Sequence, residues 1–393
     1  MDKSKWEYKK LGEVCTIERG GSPRPISDYI TNAEDGINWI KIGDAVEGSK
    51  YIMSTAEKIK PEGMKKSRFV HKGDFILSNS MSFGKPYILG VNGCIHDGWL
   101  VIHDDNNTFN KDFLYYYLGS PTIYSEFKRL AVGGVVNNLN SNLVRGVKVA
   151  IPPLSEQQHI VEELDLLSSI IEKKKAQLDE LDNLAQSLFY EMFGDPITNE
   201  KGWEVDVLEN VVAKDCTISY GIVQPGDDVS NGIPVVRPVD LVTIFVEREG
   251  LKRVAKDISD SYKRTILKGG EILLCVRGTT GIMSFASSNL AGCNVTRGIT
   301  PLAFGDKLNK YYAFRYLKTK HIQDIIADNT RGATLKQINM KDVRSLPMLI
   351  PPMDLQNQFA SKIEAIERQK ELIKQSIKEV ETLFNSRMDY YFN

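Results

Sequence analysis

The side chains best suited to metal chemistry stand around one apolar run. In IHDGWLVIH (95–103), His96 and His103 lie near the two ends, with Asp97 beside the first and Asp104 and Asp105 after the second. Imidazole and carboxylate groups are common metal ligands. The same residues are also the ordinary polar ends of a buried strand, and we favour that interpretation, so no metal site is predicted.

Motifs for catalysis are missing from the sequence. The two Pro-Pro pairs are followed by Leu154 and Met353, whereas an amino-methyltransferase loop has Tyr or Phe at that position. The one Gly-Lys pair is followed by Pro86, which excludes a phosphate-binding G-x4-G-K-[ST] loop. No H-E-x-x-H occurs. We therefore predict a protein that is not an enzyme.

Composition indicates a soluble protein. The five cysteines form no C-x-x-C pair, which is typical of reduced thiols in the cytosol rather than a disulfide framework. No stretch approaches 18 consecutive apolar residues, and MDKSKWEYKK lacks the apolar centre of a signal peptide. We expect a cytoplasmic protein that does not bind membranes.

The elements that must position any site occur twice. IPPLSEQQHIVEELD (151–165) and IPPMDLQNQFASKIE (350–364) lie 199 positions apart. The ungapped match extends upstream through G-x6-N-x3-V-R-x5-I-P-P, which begins at Gly133 and at Gly332. Nearer the N-terminus the offset falls to about 197. The chain is therefore two copies of one unit, and such periodicity decides the architecture.

Each copy has a globular part and a long helix. Residues 1–150 and 195–349 are rich in short β-branched runs separated by Gly, Asn and Ser, which is typical of mixed α/β structure. Residues 151–194 and 350–393 have helical periodicity. The predicted fold class is α+β, with two pseudo-symmetric mixed α/β domains separated by two long antiparallel coiled-coil helices.

Smaller elements also correspond. One helix is predicted over 111–130 and its counterpart over 309–328. Ser155 with Gln158 is expected to form a capping box at the start of the first long helix, and Asp354 with Asn357 a looser version at the second.

Apolar residues at alternating spacings of four and three predict a coiled-coil seam in each long helix. In the first helix they are Ile160, Leu164, Leu167, Ile171, Leu178, Leu181 and Leu188. In the second they are Phe359, Ile363, Ile366, Ile373, Ile377 and Val380. Because both helices connect to the second globular part at the same end, paired seams must run antiparallel. Lys174 and Lys370 interrupt the seams, either to fix the register or simply with their ammonium groups reaching solvent.

Charge separates the parts. Each globular part carries a net charge of +3, whereas the helical segments carry −6 and −1. The globular parts could therefore face a polyanion, and the helices are less suited to one.

The motifs resemble those of the specificity subunit of type I restriction–modification systems. They are RGGSPRP (19–25), KGDFILS (72–78), IPPLSEQQHI (151–160) and LFYEMFGDP (188–196). The resemblance implies two target recognition domains, each reading one half of a split, asymmetric site in double-stranded DNA. It also implies helices that set the spacing and bind two methyltransferase subunits, which bring S-adenosylmethionine, in an assembly that can recruit restriction subunits. No cofactor is expected in this chain. Leu355 and Asn357 depart from the first copy's Glu156 and Gln158.

Candidate DNA contacts are basic and polar residues on loops, since such side chains bond base edges and phosphates. In the first part they are Arg19, Ser22, Arg24, Lys41, Arg68, Asn79, Ser80, Ser82 and Lys85. In the second they are Tyr220, Gln224, Arg237, Lys263, Arg264, Arg277, Thr279, Thr280, Asn294 and Arg297. A third to a half of them are expected to be turn formers or solvated residues instead. Arg145 and Arg344 are expected to bond the junction between domain and helix.

Three functions remain at this point: a DNA specificity subunit, a coiled-coil adaptor whose two globular parts bind proteins, and a fused enzyme that the missing motifs argue against. Only the first predicts a neighbouring gene for a methyltransferase with an N-P-P-[YF] loop. DNA binding would also weaken steeply with salt.

Overall fold

The computed structural model describes residues 3–46, 48–80, 83–131, 139–332 and 335–393. It divides into two compact units. Unit 1 is Met1–Lys175 with Gln375–Asn393, and unit 2 is Ala176–Lys374. Each unit thus holds one globular part together with segments of both long helices. Gly133 of the repeat lies outside the described residues.

The described residues of unit 1 form twelve strands, named in chain order. They are β1 (Glu7–Lys10), β2 (Thr16–Arg19), β3 (Ile30–Thr31), β4 (Ile37–Ile40), β5 (Tyr51–Ile52), β6 (Glu57–Ile59), β7 (Arg68–Val70), β8 (Phe75–Ser78), β9 (Pro86–Leu89), β10 (Gly93–Ile95), β11 (Trp99–His103) and β12 (Lys148–Ile151). Its helices are α1 (Leu11–Val14), α2 (Lys111–Leu118), α3 (Pro121–Ala131) and α4 (Ser141–Arg145). The first long helix, α5 (Leu154–Phe193), begins in unit 1 and ends in unit 2.

Unit 2 repeats this arrangement with fewer strands among its described residues. They are β13 (Glu204–Val207), β14 (Ile233–Val236), β15 (Phe245–Val246), β16 (Arg253–Val254), β17 (Ile272–Cys275), β18 (Met283–Ala286), β19 (Asn294–Val295), β20 (Ile299–Leu302) and β21 (Pro347–Ile350). Its helices are α6 (Leu208–Val211), α7 (Lys256–Asp260), α8 (Lys310–Leu317), α9 (Lys320–Asp328) and α10 (Met340–Arg344). The second long helix, α11 (Met353–Phe392), begins in unit 2 and ends in unit 1.

Equivalent strands pair in the same way in the two units. Unit 1 has sheets of order β3-β6-β4-β10-β7 and β2-β11-β8-β9-β5, and unit 2 has β16-β14-β19 and β15-β18-β17-β20. A two-stranded ladder closes each globular part, with Glu7 opposite Ile151 and Glu204 opposite Ile350. Residues predicted to open the helical segments, Ile151 and Ile350, therefore belong to the globular sheets.

Strand β8 shows why the core forms where it does. All of Phe75–Ser78 is buried, as expected for a strand covered on both faces. Phe75 and Leu77 join one apolar cluster, whereas Ile76 joins another with Trp99. The alternation of side chains along one strand thus supplies two separate cores.

The helices predicted over 111–130 and 309–328 are each broken in two, so the prediction of single helices was wrong. Ser120 and Thr319 occupy the breaks, and both are buried. Pro121 has no N–H for a continuing helix. The Thr319 hydroxyl donates to the Tyr316 carbonyl at 2.7 Å, so a buried side chain bonds the end of α8.

The long helices pack antiparallel within each unit. In unit 1, Ile160 and Leu164 near the start of α5 share a core with Tyr391 near the end of α11. In unit 2, Phe193 at the end of α5 stacks edge-on against Phe359 near the start of α11, with ring centroids 5.2 Å apart. The antiparallel prediction is confirmed inside each unit.

The predicted seam residues are all at least half-buried. The buried ones are Ile160, Leu164, Leu167, Phe359, Ile363, Ile366 and Ile377. The half-buried ones are Ile171, Leu178, Leu181, Leu188, Ile373 and Val380. None of the helices in the described ranges is both long and apolar enough to cross a membrane.

Candidate nucleic-acid interface

One tight turn occupies the same place in both globular parts. In unit 1 it joins β10 to β11, and the Trp99 N–H donates to the His96 carbonyl at 3.0 Å. In unit 2 it joins β19 to β20, and the Ile299 N–H donates to the Thr296 carbonyl at 2.9 Å. The second residue of this four-residue turn is Asp97 in unit 1 and Arg297 in unit 2.

A glycine lets a neighbouring segment cross each turn closely. The Gly21 N–H donates to the Ile95 carbonyl at 3.1 Å, and the Ile222 N–H donates to the Val295 carbonyl at 2.8 Å. A Cβ on the preceding residue, Gly20 in unit 1, would lie 2.2 Å from a backbone oxygen, and in unit 2 Gly221 is equally confined. Only glycine permits this approach.

Several predicted contacts of unit 1 converge on Asp97. Its carboxylate accepts a bond from the Ser22 hydroxyl at 2.8 Å and lies 2.9 Å from His96 Nε2 and 3.6 Å from Arg24 Nη2. Its carbonyl accepts a bond from Arg19 Nε at 2.8 Å. Residues of the 19–24 segment therefore meet the turn at Asp97.

The electrostatics of this cluster keep the carboxylate charged. Partial burial opposes ionisation, but the Ser22 hydrogen bond and the positive charges of Arg19 and Arg24 together lower the pKa of Asp97. Burial lowers the pKa of His96, so its imidazole is neutral at pH 7. Consistently, His96 Nδ1 accepts a bond from the Gly98 N–H at 2.9 Å.

The other candidates in unit 1 differ in their ion pairs and in their burial. Arg68 Nη1 pairs with Glu18 at 2.8 Å, and Lys41 Nζ pairs with Glu57 at 2.5 Å. Ser80 and Lys85 are half-buried on the connection between β8 and β9. The predicted contact Ser82 lies outside the described residues.

In unit 2, Tyr220 is the centre of the corresponding cluster. The Arg297 guanidinium lies over the Tyr220 ring, 5.7 Å from its centroid. Gln337 Nε2 donates to the Tyr220 hydroxyl at 3.0 Å, and the Gln337 backbone forms a bridge with Arg277. The structure thus brings together Tyr220, Arg277 and Arg297, which span 77 positions of the sequence from the first to the last.

The remaining candidates of unit 2 are more dispersed. Arg237 binds Asp240 through both Nε and Nη2, at 3.1 and 2.8 Å. It is the structural equivalent of Lys41, because the backbone N–H of each donates to an aspartate three residues on. The Thr280 and Thr330 hydroxyls lie 3.0 Å apart. The exposed candidates are Gln224, Lys263, Arg264 and Thr279.

Two predicted contacts have enclosed side chains, and their role in DNA binding stays a prediction. Asn294 is fully buried, and its Oδ1 accepts from Thr265 at 2.7 Å while its Nδ2 bonds Ser259. Asn79 is also fully buried, and its Nδ2 donates to the Asp97 carbonyl at 3.1 Å. Both side chains hold the loops in place.

A buried glutamine that was not among the predicted functional residues bonds each long helix to its globular part. Gln157 Oε1 accepts from the Asn110 N–H at 2.8 Å, and its Nε2 donates to the carbonyls of Thr108 and Pro152 at 3.0 and 2.8 Å. Gln356 makes the same three bonds to Asn309, Lys307 and Pro351, at 2.8, 3.1 and 2.7 Å. The available signal was that this glutamine is identical at offset 199.

The predicted capping boxes are wrong. Helices α5 and α11 begin at Leu154 and Met353, so Ser155 and Asp354 lie inside the first turn. The amide oxygens of Gln158 and Asn357 instead accept bonds from Asn110 and Asn309, both at 2.9 Å. The loop before α2 or α8 competes for the side chain that would have capped the helix.

Arg145 and Arg344 have the structural role that was predicted, but at a different place. Arg145 Nη2 donates to the Ile17 carbonyl at 2.5 Å, and Arg344 Nη2 donates to the Ile218 carbonyl at 2.8 Å. Each arginine therefore ties the short helix before the last strand to the segment that leads into the turn-crossing glycine.

Lys370 does not reach solvent. Its side chain is 10% exposed, and its ammonium lies 2.7 Å from Asp182 on α5 and 3.5 Å from Glu367. Glu367 in turn accepts a bond from Arg315 Nη2 at 2.7 Å. The snorkelling interpretation is wrong for Lys370, whereas the hypothesis that it fixes the helix register stays a prediction. Lys174 is half-buried.

Comparison with known families identifies this architecture. The family model for the type I restriction modification DNA specificity domain matches residues 3–183 and 201–382, once in each copy.

Individual relatives are distant but match over nearly the whole chain. The EcoBI specificity subunit of Escherichia coli is 21% identical, over 92% of this chain and 79% of that one. The MjaIX specificity subunit of Methanocaldococcus jannaschii is 24% identical, over 92% of this chain and 86% of that one.

Two solved structures share the fold. A chain solved in work on assembly and conformational transition of the type I R-M system has a TM-score of 0.60 at 19% identity, covering 99% of this chain and 97% of its own. The type I system S subunit of M. genitalium has a TM-score of 0.54 at 12% identity, covering 99% and 96%.

Proposed function

We propose, because the chain belongs to the type I restriction modification DNA specificity domain family and is a specificity subunit, that each unit reads one half of a bipartite, asymmetric DNA site. The observation that carries this proposal is the turn at Asp97 and Arg297. Both copies fix the same backbone position, yet they present side chains of opposite charge. Two equivalent positions with different chemistry suit two different half-sites.

The long helices set the distance between the half-sites and bind two methyltransferase subunits. Their outer faces carry exposed leucines, including Leu184 and Leu383, which are 47% and 49% exposed and stand at equivalent positions of the two copies. Apolar side chains exposed at equivalent positions suit two copies of one partner. The adaptor reading shares these helices but would leave the DNA-binding turns without a role.

Catalysis belongs to the partners in this proposal. The methyltransferase subunits bring S-adenosylmethionine and flip a target adenine out of the duplex near each half-site. This chain supplies sequence selection, without catalytic residues and without a cofactor of its own. Restriction subunits join the same assembly, which works on DNA in the cytoplasm.

Methylome sequencing tests the proposal directly. Cells carrying this chain with its neighbouring methyltransferase should show a gapped, two-part adenine motif that disappears when this gene alone is deleted. A methylome unchanged by the deletion would contradict the proposal and favour the adaptor.

A salt titration gives a second test with purified complex. Binding through phosphates releases counterions, so the logarithm of the affinity should fall linearly with the logarithm of salt concentration. A complex whose binding to duplex DNA does not respond to salt would argue against DNA recognition by these units.

A further inference from the structure

We infer that Arg297, held against Tyr220, reads a guanine in the half-site bound by unit 2. The inference rests on the proposed function and adds to it a specificity-determining residue and the base it selects. It starts from the backbone of the turn, since a side chain can discriminate bases only when its origin is fixed.

Hydrogen bonds fix the backbone around Arg297 from three sides. Its own N–H donates to the Ile222 carbonyl at 2.7 Å, and the preceding N–H, of Thr296, donates to the Val236 carbonyl at 2.9 Å. The turn itself is closed by the bond from Ile299 to Thr296. The Cα of Arg297 is therefore tied to two neighbouring segments and to the following strand.

The side chain is also positioned. The guanidinium lies over the ring of Tyr220, which favours a fixed orientation through a cation–π contact. The ring is held in turn, because the Tyr220 hydroxyl accepts a bond from Gln337. A positioned arginine loses less conformational entropy on binding than a freely moving one.

The donors of Arg297 remain available for a ligand. Within the described ranges of the chain, no carboxylate forms an ion pair with this guanidinium. Arg237, by contrast, donates hydrogen bonds from Nε and Nη2 to the Asp240 carboxylate. Arg264 is exposed on a single 3-10 turn, Lys263–Thr265. Among the described residues, none forms a hydrogen bond or ring contact with the Arg264 side chain.

The chemistry of a positioned, unpaired guanidinium favours guanine. Its planar donors match O6 and N7 of guanine in the major groove, which is the commonest specific contact between a side chain and a base. Adenine offers a donor where guanine has O6, so the same fork cannot bond it in this way. A lysine keeps the charge but loses the fork, which makes Arg297→Lys the informative substitution.

The experiment measures methylation by the complete complex, with wild-type chain or Arg297→Lys, on a pool of DNA sites randomised in both half-sites. The wild-type motif should contain a guanine in one half. In the variant, discrimination at that position should fall by between about 5-fold and about 150-fold, as expected for the loss of one bidentate pair. The other half of the motif should be unchanged.

Two matched sets of variants make the result specific. Arg248→Lys removes the fork of an exposed arginine of unit 2 that is not among the candidate contacts, and it should leave the motif unaltered. Tyr220→Leu, which removes the ring, should relax the same position as Arg297→Lys, whereas Tyr220→Phe, which keeps it, should relax that position less. Thermal unfolding of each variant establishes that the chain is folded.

The inference is overturned if unit 2's half-site contains no guanine, or if Arg297→Lys weakens methylation of all sequences equally. The second result would make Arg297 a phosphate contact, and the charge-removing variant Arg297→Ala would then show a smaller salt dependence of binding. Failure of the proposed function looks different, since the wild-type complex itself would then yield no two-part motif.

Discussion

The two units share one frame of backbone hydrogen bonds and differ in the side-chain pairs that they add to it. The bonds of Gln157 and Gln356 to their globular parts differ by at most 0.1 Å between copies. Their partners are mostly backbone groups, whose positions the fold fixes. Such bonds survive sequence divergence because any residue type supplies the same N–H and C=O groups.

The ion pairs between the long helices and their surroundings, by contrast, differ between the described parts of the two copies. In unit 1, Arg387 and Tyr391 on α11 bind Glu163 on α5, with Arg387 Nη2 at 2.8 Å. In unit 2, Lys370 and Arg315 surround Glu367. Pairs between side chains require two matching residues, so one change in sequence removes them. The two copies therefore share their hydrogen bonds to backbone groups and differ in the ion pairs between their side chains.

Replacing the buried glutamine should give the largest effect, and it should be equal in both copies. Gln157→Leu or Gln356→Leu leaves three buried backbone groups without partners and should lower the free energy of unfolding by about 3–5 kcal/mol. Chemical denaturation measures this. Gln158→Ala, an exposed neighbour, should cost less than about 1 kcal/mol. A large loss in one copy alone would break the idea of a shared frame.

The buried charges of unit 2 should give the next largest effect. Glu367→Gln leaves Arg315 and Lys370 without a buried anion and should destabilise the chain by about 3 kcal/mol. Unit 1 has Tyr116, Ser168 and Ile171 at the equivalent positions.

The matched control for that network transplants the residues of unit 1. A triple variant, Arg315→Tyr with Glu367→Ser and Lys370→Ile, should unfold with a smaller loss than Glu367→Gln alone, since it removes the charges together. If the triple variant proves the less stable of the two in the same denaturation assay, the charged network makes a net contribution to the stability of the chain.

The turn should respond with opposite signs in the two units. Asp97→Ala removes a negative charge near DNA and should raise the affinity for non-specific DNA at low salt, whereas Arg297→Ala should lower it. Each change should be about 5-fold, equivalent to roughly 1 kcal/mol for one charge in water. Equilibrium binding of the complex to duplex DNA checks both. Changes in the same direction would show that the two turns do not occupy equivalent places on DNA.

The smallest effect concerns pH and unit 1. The hydrogen bond from Arg387 lowers the pKa of Glu163 below 4.5, with Tyr391 helping and partial burial opposing. A lowered carboxylate pKa stabilises the fold above about pH 4.5 and stops doing so as the pH falls further. Glu163→Gln should therefore cost less than about 1 kcal/mol at pH 7 and still less at pH 4.

Unfolding curves at the two pH values test this, with Glu172→Gln on the exposed face of the same helix as the control. A penalty for Glu163→Gln that grows on acidification would contradict the sign.

The candidate site was only partly predictable. Loop composition pointed to Arg19, Ser22, Arg24 and Arg297, which do meet at the two turns. It also pointed to Asn294, because a polar residue between apolar ones does not reveal whether its bonds are internal. Gln337 was missed, since it lies 117 positions from Tyr220 and only the fold brings the two residues together.

The duplication, the two globular parts and the two long helices could be predicted from the sequence alone, because periodicity and repetition are local properties of the chain. Burial of the seams followed from that spacing. The sequence did not reveal where the helix predicted over 111–130 breaks, which glutamine bonds each globular part, or which arginines form ion pairs. Those outcomes depend on contacts between residues far apart in sequence: Lys370 finds Asp182 188 positions away, and Gln337 finds Tyr220 117 positions away. Pattern along the chain carries no record of such distances.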